Sequence, residues 1–377
     1  MIDLQTLKAG GELVNDKLPA IQKIVNTVGS RIKTVNIPTD SLNFRGRAVQ
    51  DSFEKYLDNE YNSSSLFKEA YKTPFHYFYA LNDKSELEKA KGANPSFKIG
   101  TFIHQCILEP SKFKRAIVEP FYSLASLEGC SKGVEFWENL IYNNSSDVLS
   151  EEKILQDIKQ IAIDECGRFE SMACKKVYLK KLVDYSGVQT VSELDYYKIG
   201  IIKRHIDMYS DGIIYDIFKH SKREISMYAD IEGIKHRIRP DGLQFSENIG
   251  LDCILSVKSS QMEDLRSFYA QAAKLHYDLS EYMYQHVASH VTGRNFSNTI
   301  TLLLQTVPPF AVALLIWSDE DIEVGRYKYS QARETIKSIQ EGNIPIGYET
   351  YAEPGHRGII EMRLPDWNKM EKLTNQI

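Results

Sequence analysis

Residues 239–260 read RPDGLQFSENIGLDCILSVKSS, and this stretch decides the fold. It opens on Arg239-Pro240-Asp241 and closes on Ser256-Val257-Lys258 followed by Ser259-Ser260. Leu251 to Val257 is nearly continuous in apolar character, which predicts a strand buried on both faces at the centre of a sheet. Side chains alternate along a strand, so Ser256 and Lys258 share one face. Asp241 lies at the end of the strand pattern before it.

Outward from this stretch the strand period continues. Glu224-Ile225-Ser226-Met227-Tyr228 alternates, Ile234 to Ile238 does so again, and Asp230 to Gly233 reads as the turn between them. Downstream, Leu265 to Val291 is expected to form one long helix. Thr299–Val307 and Phe310–Trp317 read as two further strands joined at Pro308-Pro309. Ser318-Asp319-Glu320 caps a last helix over Ile322–Gln340, which stops at Gly342.

Upstream the pattern is helical. Ser63-Ser64-Ser65 precedes an apolar period at Leu66, Phe67, Ala70 and Tyr71, and Thr73-Pro74 ends it. A second helix runs from Ile99-Gly100-Thr101 through His104 to Glu109-Pro110. Residues 131–183 are helical and charged, with one apolar face. Residues 184–222 carry many basic groups, which read as a solvated surface or a DNA-facing patch. Helices, three strands, a helix, two strands and a helix make an α/β core with a mixed central sheet and a helical N-terminal region.

The 377 residues can bury a large core, and 42% hydrophobic with 26% charged residues is ordinary for a globular chain. A net charge of −5 excludes a global basic field, so any DNA site must be a local patch or a channel made on assembly. Five irregularly spaced cysteines read as reduced thiols in a cytosol-like compartment. There is no basic-then-apolar leader pattern and no run near eighteen apolar residues, so a cytoplasmic protein with no membrane role is expected.

Asp241 and Lys258 suit metal-assisted phosphodiester chemistry. A hard divalent cation takes carboxylate oxygens, and a nearby ammonium steadies the attacking water or the scissile phosphate. Glu224 is placed to add a third oxygen ligand or to order a water. His104 could bring a nitrogen ligand, although a lone histidine on a helix also fits a structural role.

Taken in order from Ser63 to Tyr348, these pieces resemble the RecE-type (exodeoxyribonuclease VIII-like) exonucleases of phages and prophages, within the PD-(D/E)xK superfamily. Thr73-Pro74-Phe75-His76-Tyr77 resembles the end of that family's opening helix. Gly100-Thr101 to His104 resembles its glycine-threonine-x-x-histidine helix. Glu224-Ile225-Ser226 resembles its glutamate strand, Arg239-Pro240-Asp241 its first metal-binding aspartate, and Lys258-Ser259-Ser260 its lysine and hydroxyl pair. Tyr277-Asp278-Leu279 resembles the start of its glutamine-tyrosine helix. The resemblance implies a PD-(D/E)xK restriction-endonuclease-like core over residues 61–350, with 171–210 an insertion, 1–60 an N-terminal extension and 351–377 a tail. It implies catalytic Lys258, Glu224, Asp241 and His104, with Asp241, His104 and Glu224 binding Mg²⁺ or Mn²⁺. It further implies degradation of double-stranded DNA from an end, a homo-oligomeric ring, a single-strand annealing protein as partner, and residence in the host cytoplasm if phage-encoded.

Two positions depart from that pattern. Ser256 stands where the second acid belongs, and Ser280 stands where the helix normally has glutamine, while Tyr284 is kept. Asp252 shares a strand face with Ser256 but lies roughly 13 Å away at strand rise, too far to replace it. A neutral hydroxyl is a poor ligand for Mg²⁺, and losing most of the metal's contribution costs on the order of a thousandfold in rate. The sequence therefore supports a metal-dependent DNA exonuclease weakened at Ser256 and restored by Ser256→Asp, or a catalytically inactive nuclease-fold protein that binds DNA or serves a structural role in a phage.

Overall fold

The apolar run ahead of Lys258 forms the strand its composition demands. In a computed structural model, which describes residues 17–30, 33–39, 42–43, 45–82 and 95–363, it lies at the middle of a five-stranded sheet. The first part of the N-terminal extension expected over residues 1–60 and the last part of the tail fall outside the described residues. The strands, numbered along the chain, are β1 (Leu42–Asn43), β2 (Gly46–Val49), β3 (Ile117–Glu119), β4 (Thr190–Ser192), β5 (Lys222–Arg223), β6 (Ser226–Ile231), β7 (Ile234–Ile238), β8 (Gly242–Gln244), β9 (Cys253–Ser260), β10 (Asn298–Gln305) and β11 (Val312–Ile316).

The chain divides into two units: Met1–Ala93 with Tyr209–Val307 and Val312–Ile377, and Asn94–Met208 with Pro308–Ala311. The first unit holds two sheets. One has the order β11-β10-β9-β8-β5, and the other β1-β2-β6-β7. β9 runs parallel to β10 and antiparallel to β8, so the central sheet is mixed, as the order of elements predicts. The β6–β7 hairpin belongs to the second sheet rather than flanking β9. Pro240 explains the switch. It has no N–H to offer a ladder, and β7 ends two residues before it. The next residue is Asp241, which is thereby delivered to the edge of β8.

The hairpin turn is tighter than the sequence suggests. Asp230 still pairs with Lys235, and the turn consists of Glu232 and Gly233 at φ of 52° and 79°. The helix expected over Leu265–Val291 is instead two, Leu265–Lys274 and Tyr277–Thr292. His276 breaks it, with φ and ψ both 50°. Leu279, Met283 and Val287, spaced one turn apart, are completely buried in the core with Ile234, Ile238, Leu243 and Ile254. Each such side chain contributes roughly 1.5–3 kcal/mol of transfer free energy before entropy is subtracted.

The Asp319–Gln340 helix packs across Tyr277–Thr292 and is capped as predicted, Ser318 accepting from the Asp321 N–H. Gly325 sits at the crossing, where a Cβ would lie 2.2 Å from the Asp278 carbonyl oxygen. The second unit is mainly helical, built on Pro95–Leu108, Leu127–Asn144, Val148–Cys166, Met172–Ser186 and Glu193–Met208, with β3 and β4 as a parallel pair. Its core gathers Trp137, Tyr178, Leu182 and Cys174. No described helix is long and apolar enough to cross a membrane.

Gly325→Ala is expected to lower stability by roughly 1–3 kcal/mol, because two backbones must part to admit one methyl. Gly200, in a helix of the second unit, has open space around the same position. Gly200→Ala should be neutral or stabilising by up to about 1 kcal/mol. Urea unfolding of both variants against the parent checks the contrast.

Candidate functional site

The candidate site lies on the face of β9 that carries Ser256 and Lys258. Asp241 is held against this strand, since its Oδ2 accepts from the Val257 N–H at 2.5 Å. That donor belongs to the residue between Ser256 and Lys258, so the resemblance-derived aspartate and lysine are brought together by one backbone hydrogen bond.

The side chain facing Ser256 comes from a different element. Glu281, on the Tyr277–Thr292 helix, is completely buried. Ser256 Oγ donates to its Oε1 at 3.1 Å, and Lys258 Nζ lies 3.7 Å from the same oxygen. Glu281 Oε2 is buried and has no hydrogen-bond partner among the described residues. Burial raises the Glu281 pKa, and the Asp241 charge adds to that, against the Lys258 charge and the Ser256 hydroxyl. Burial alone would lower the Lys258 pKa, but Glu281 and Asp241 outweigh it and hold the ammonium above its ordinary value.

Aromatic and cationic groups line the approach. Lys258 Nζ and Lys68 Nζ lie 5.4 Å and 5.0 Å from the centre of the Tyr277 ring. Burial, helped by the nearby Lys258 charge, lowers the Lys68 pKa to about 8, although Glu281 and Asp278 pull the other way. Tyr284 is three residues beyond Glu281 and so on the same helix face. Burial raises its pKa, with the charges of Glu281 and Asp241 adding, while a hydrogen bond with Ser64 opposes the shift.

Glu224 has a strong partner outside this cluster. Arg239 Nε donates to its Oε2 at 2.7 Å. The same guanidinium donates through Nη1 to Asp51 Oδ1 at 3.1 Å and to Ser226 Oγ at 2.9 Å. Tyr228 OH adds a bond to Asp51 Oδ2 at 2.9 Å. The arginine of Arg239-Pro240-Asp241 thus ties β6 to the segment after β2, and Glu224 belongs to that network. Ser280 is buried, and its Oγ has no hydrogen-bond partner among the described residues. His104 lies on the Pro95–Leu108 helix of the second unit, half-buried and one turn after Gly100. Among the described residues, no three His, Cys, Asp or Glu side chains gather into a metal-binding group.

Sequence reasoning missed Glu281 and Asp51. Glu281 had a signal, because Tyr277, Glu281 and Tyr284 recur at helical spacing on one face. Asp51 had none, since its partner Arg239 is 188 positions away.

Residues 63–349 match the family described as "PDDEXK-like domain of unknown function (DUF3799)". The chain belongs to this family. Its α/β fold with a PD-(D/E)xK-like core and mixed central sheet follows from that membership. Among solved structures, a protein named "Putative exonuclease" from Eubacterium rectale is 12% identical, with a TM-score of 0.44, over 87% of this chain and 100% of that one. The protein SSO0001 is 13% identical, with a TM-score of 0.21, over 50% of this chain and 76% of that one. No curated protein sequence matches the chain.

Arg239→Met would leave the half-buried Asp51 and Glu224 carboxylates without their cation. It is expected to cost about 1–3 kcal/mol, less than losing one partner of a fully buried pair. Lys72→Met, which removes a surface pair with Glu69, should stay within about 1 kcal/mol. Denaturant midpoints of the two variants make the comparison.

Proposed function

We propose that this nuclease-fold protein engages nucleic acid at the Lys258 end of β9, with Lys258 and Lys68 meeting backbone phosphates. The observation that carries this reading is the pairing of two ammonium groups over one aromatic ring, beside an aspartate pinned to the same strand. Cations recognise phosphates, and the half-buried ring between them offers a stacking surface for a base.

The acids distinguish two fates for bound nucleic acid. Of the two strand positions expected to carry acids, only Asp241 does so. Counting strand-borne acids alone, this favours a protein that holds DNA, or plays a structural role in a phage, without cutting it. The second reading is RecE-type hydrolysis of duplex DNA from its ends, by an oligomer working with a single-strand annealing protein. Retention of Asp241 and Lys258 supports it. In that reading a bound Mg²⁺ or Mn²⁺ would supply charge stabilisation at the phosphate. Asp241 would hold the ion, and Lys258 would steady the phosphate or the attacking water. The balance turns on whether a carboxylate outside the strands can serve the cation.

Fluorescence anisotropy with a labelled duplex tests the shared proposal. Affinity should fall steeply with salt, and Lys258→Met or Lys68→Met should each reduce the slope by about one. Raising the pH from 7 to 9 should weaken retention by the parent, because Lys68 loses its charge as the pH passes about 8. Lys68→Met should flatten that dependence. Absence of retention at low salt overturns the proposal, and release of labelled nucleotides with Mg²⁺ separates cutting from holding.

A further inference from the structure

We infer that Glu281 supplies the carboxylate missing from strand position 256, so that Asp241 and Glu281 together form a divalent-cation site. The use of that site on a phosphodiester rests on the nucleic-acid reading; the cation site itself does not.

Position 256 carries a short hydroxyl, and a long carboxylate from the facing helix fills the space above it. The two touch, Ser256 Oγ donating to Glu281 Oε1 at 3.1 Å. The acidic group is therefore set against the position from which a strand carboxylate would have projected, beside the same lysine. A carboxylate placed only for packing or for an ion pair should have both oxygens satisfied, because an unpartnered buried acceptor carries a full desolvation penalty. Here Oε1 has Ser256 and Lys258, while Oε2 has no hydrogen-bond partner among the described residues, and the residue is completely buried. A cation is the chemistry that an orphaned carboxylate oxygen next to a second acid accepts best.

The number of ligands also fits. Mg²⁺ keeps several waters and is commonly held by one or two carboxylates plus phosphate oxygens of the substrate, rather than by a cage of protein groups. Two acids from different elements are enough for such an ion, so the lack of a three-residue cluster among the described residues does not weaken the site. Asp241 comes from the start of β8 and Glu281 from the helix above, and each is fixed through β9, by the Val257 N–H and the Ser256 hydroxyl.

This assignment reverses what Ser256→Asp should do. With Glu281 in place, a second carboxylate at position 256 would press against it, and like charges in contact disfavour ionisation of both. Returning the acid to the strand requires removing it from the helix, as in the double variant Ser256→Asp/Glu281→Ser.

Mn²⁺ binding to the full chain, read from the loss of the free-ion electron paramagnetic resonance signal, tests the inference without DNA. The parent should bind Mn²⁺. Glu281→Gln and Asp241→Asn should each weaken it by at least about tenfold, and the double variant should recover to within a few-fold of the parent. Ser256→Asp alone should not tighten binding. If the parent binds no Mn²⁺, or Glu281→Gln binds as the parent does, the inference is overturned. Circular dichroism checks folding. Should Glu281→Gln fail to fold, the double variant decides, recovery supporting the exchange and loss of binding refuting it. Duplex retention measured on the same proteins is independent: Mn²⁺ binding without retention would sink the nucleic-acid reading and leave the cation site standing.

Discussion

A carboxylate with no exposure to solvent cannot be set on a strand face without compensation, and Glu281 constrains everything around it. Its position demands a small donor beneath it, which Ser256 provides, and a cation beside it, which Lys258 provides. It also demands that the Tyr277–Thr292 helix arrive over β9 in one rotational setting, since a shift of one residue turns the side chain by about 100°. His276, left-handed at φ 50°, makes the break that starts this helix afresh. Gly325 lets the Asp319–Gln340 helix close on its first turn against the Asp278 carbonyl. The acid is thus held by a strand below and a helix crossing above, and each contact is between residues far apart in sequence.

That separation decides how much of the molecule is legible in its sequence. Periodicity marks elements, and β6, β7, β9, β10 and the capped last helix lie where their patterns place them. Pairing partners leave no periodic trace. β2 joins β6 from about 180 positions away, so neither the second sheet nor Asp51's bond to Arg239 was visible. The break at Leu275-His276 was hidden because apolar residues continue in helical phase on both sides of it. At the site, Asp241 and Lys258 were legible as strand-end residues of the right chemistry. Glu281 was overlooked because the acid was sought two residues before the lysine, along the strand. The face on which it lies, with Tyr277 and Tyr284 one turn to either side, was nonetheless written in the helix.

The net charge of −5 and the local cationic character are reconciled by where the acids point. Arg294 is occupied by Glu247 and Asp252, and Arg239 by Asp51 and Glu224. Lys258 shares its acid with a serine at a longer 3.7 Å, and Lys68 pairs over Tyr277. Long-range attraction of a polyanion is weak for such a chain, so under the proposed reading nucleic acid would be recognised by these few groups at contact distance.

The arginine network has a further consequence for the acids. Glu224 Oε2 receives a guanidinium N–H at 2.7 Å, a charge-assisted bond of the strong class. A cation drawn to that oxygen would meet the positive charge of Arg239 at close range, which lowers the oxygen's worth as a ligand. Asp241 Oδ2, by contrast, is steadied by a neutral backbone N–H, and Glu281 Oε1 by a neutral hydroxyl. The Lys258 ammonium stands 3.7 Å from Glu281 Oε1, and Oε2 has no hydrogen-bond partner among the described residues. One buried carboxylate oxygen therefore stays unbonded among the described residues where β9 meets the Tyr277–Thr292 helix, whereas the Glu224 oxygen is taken up by a guanidinium.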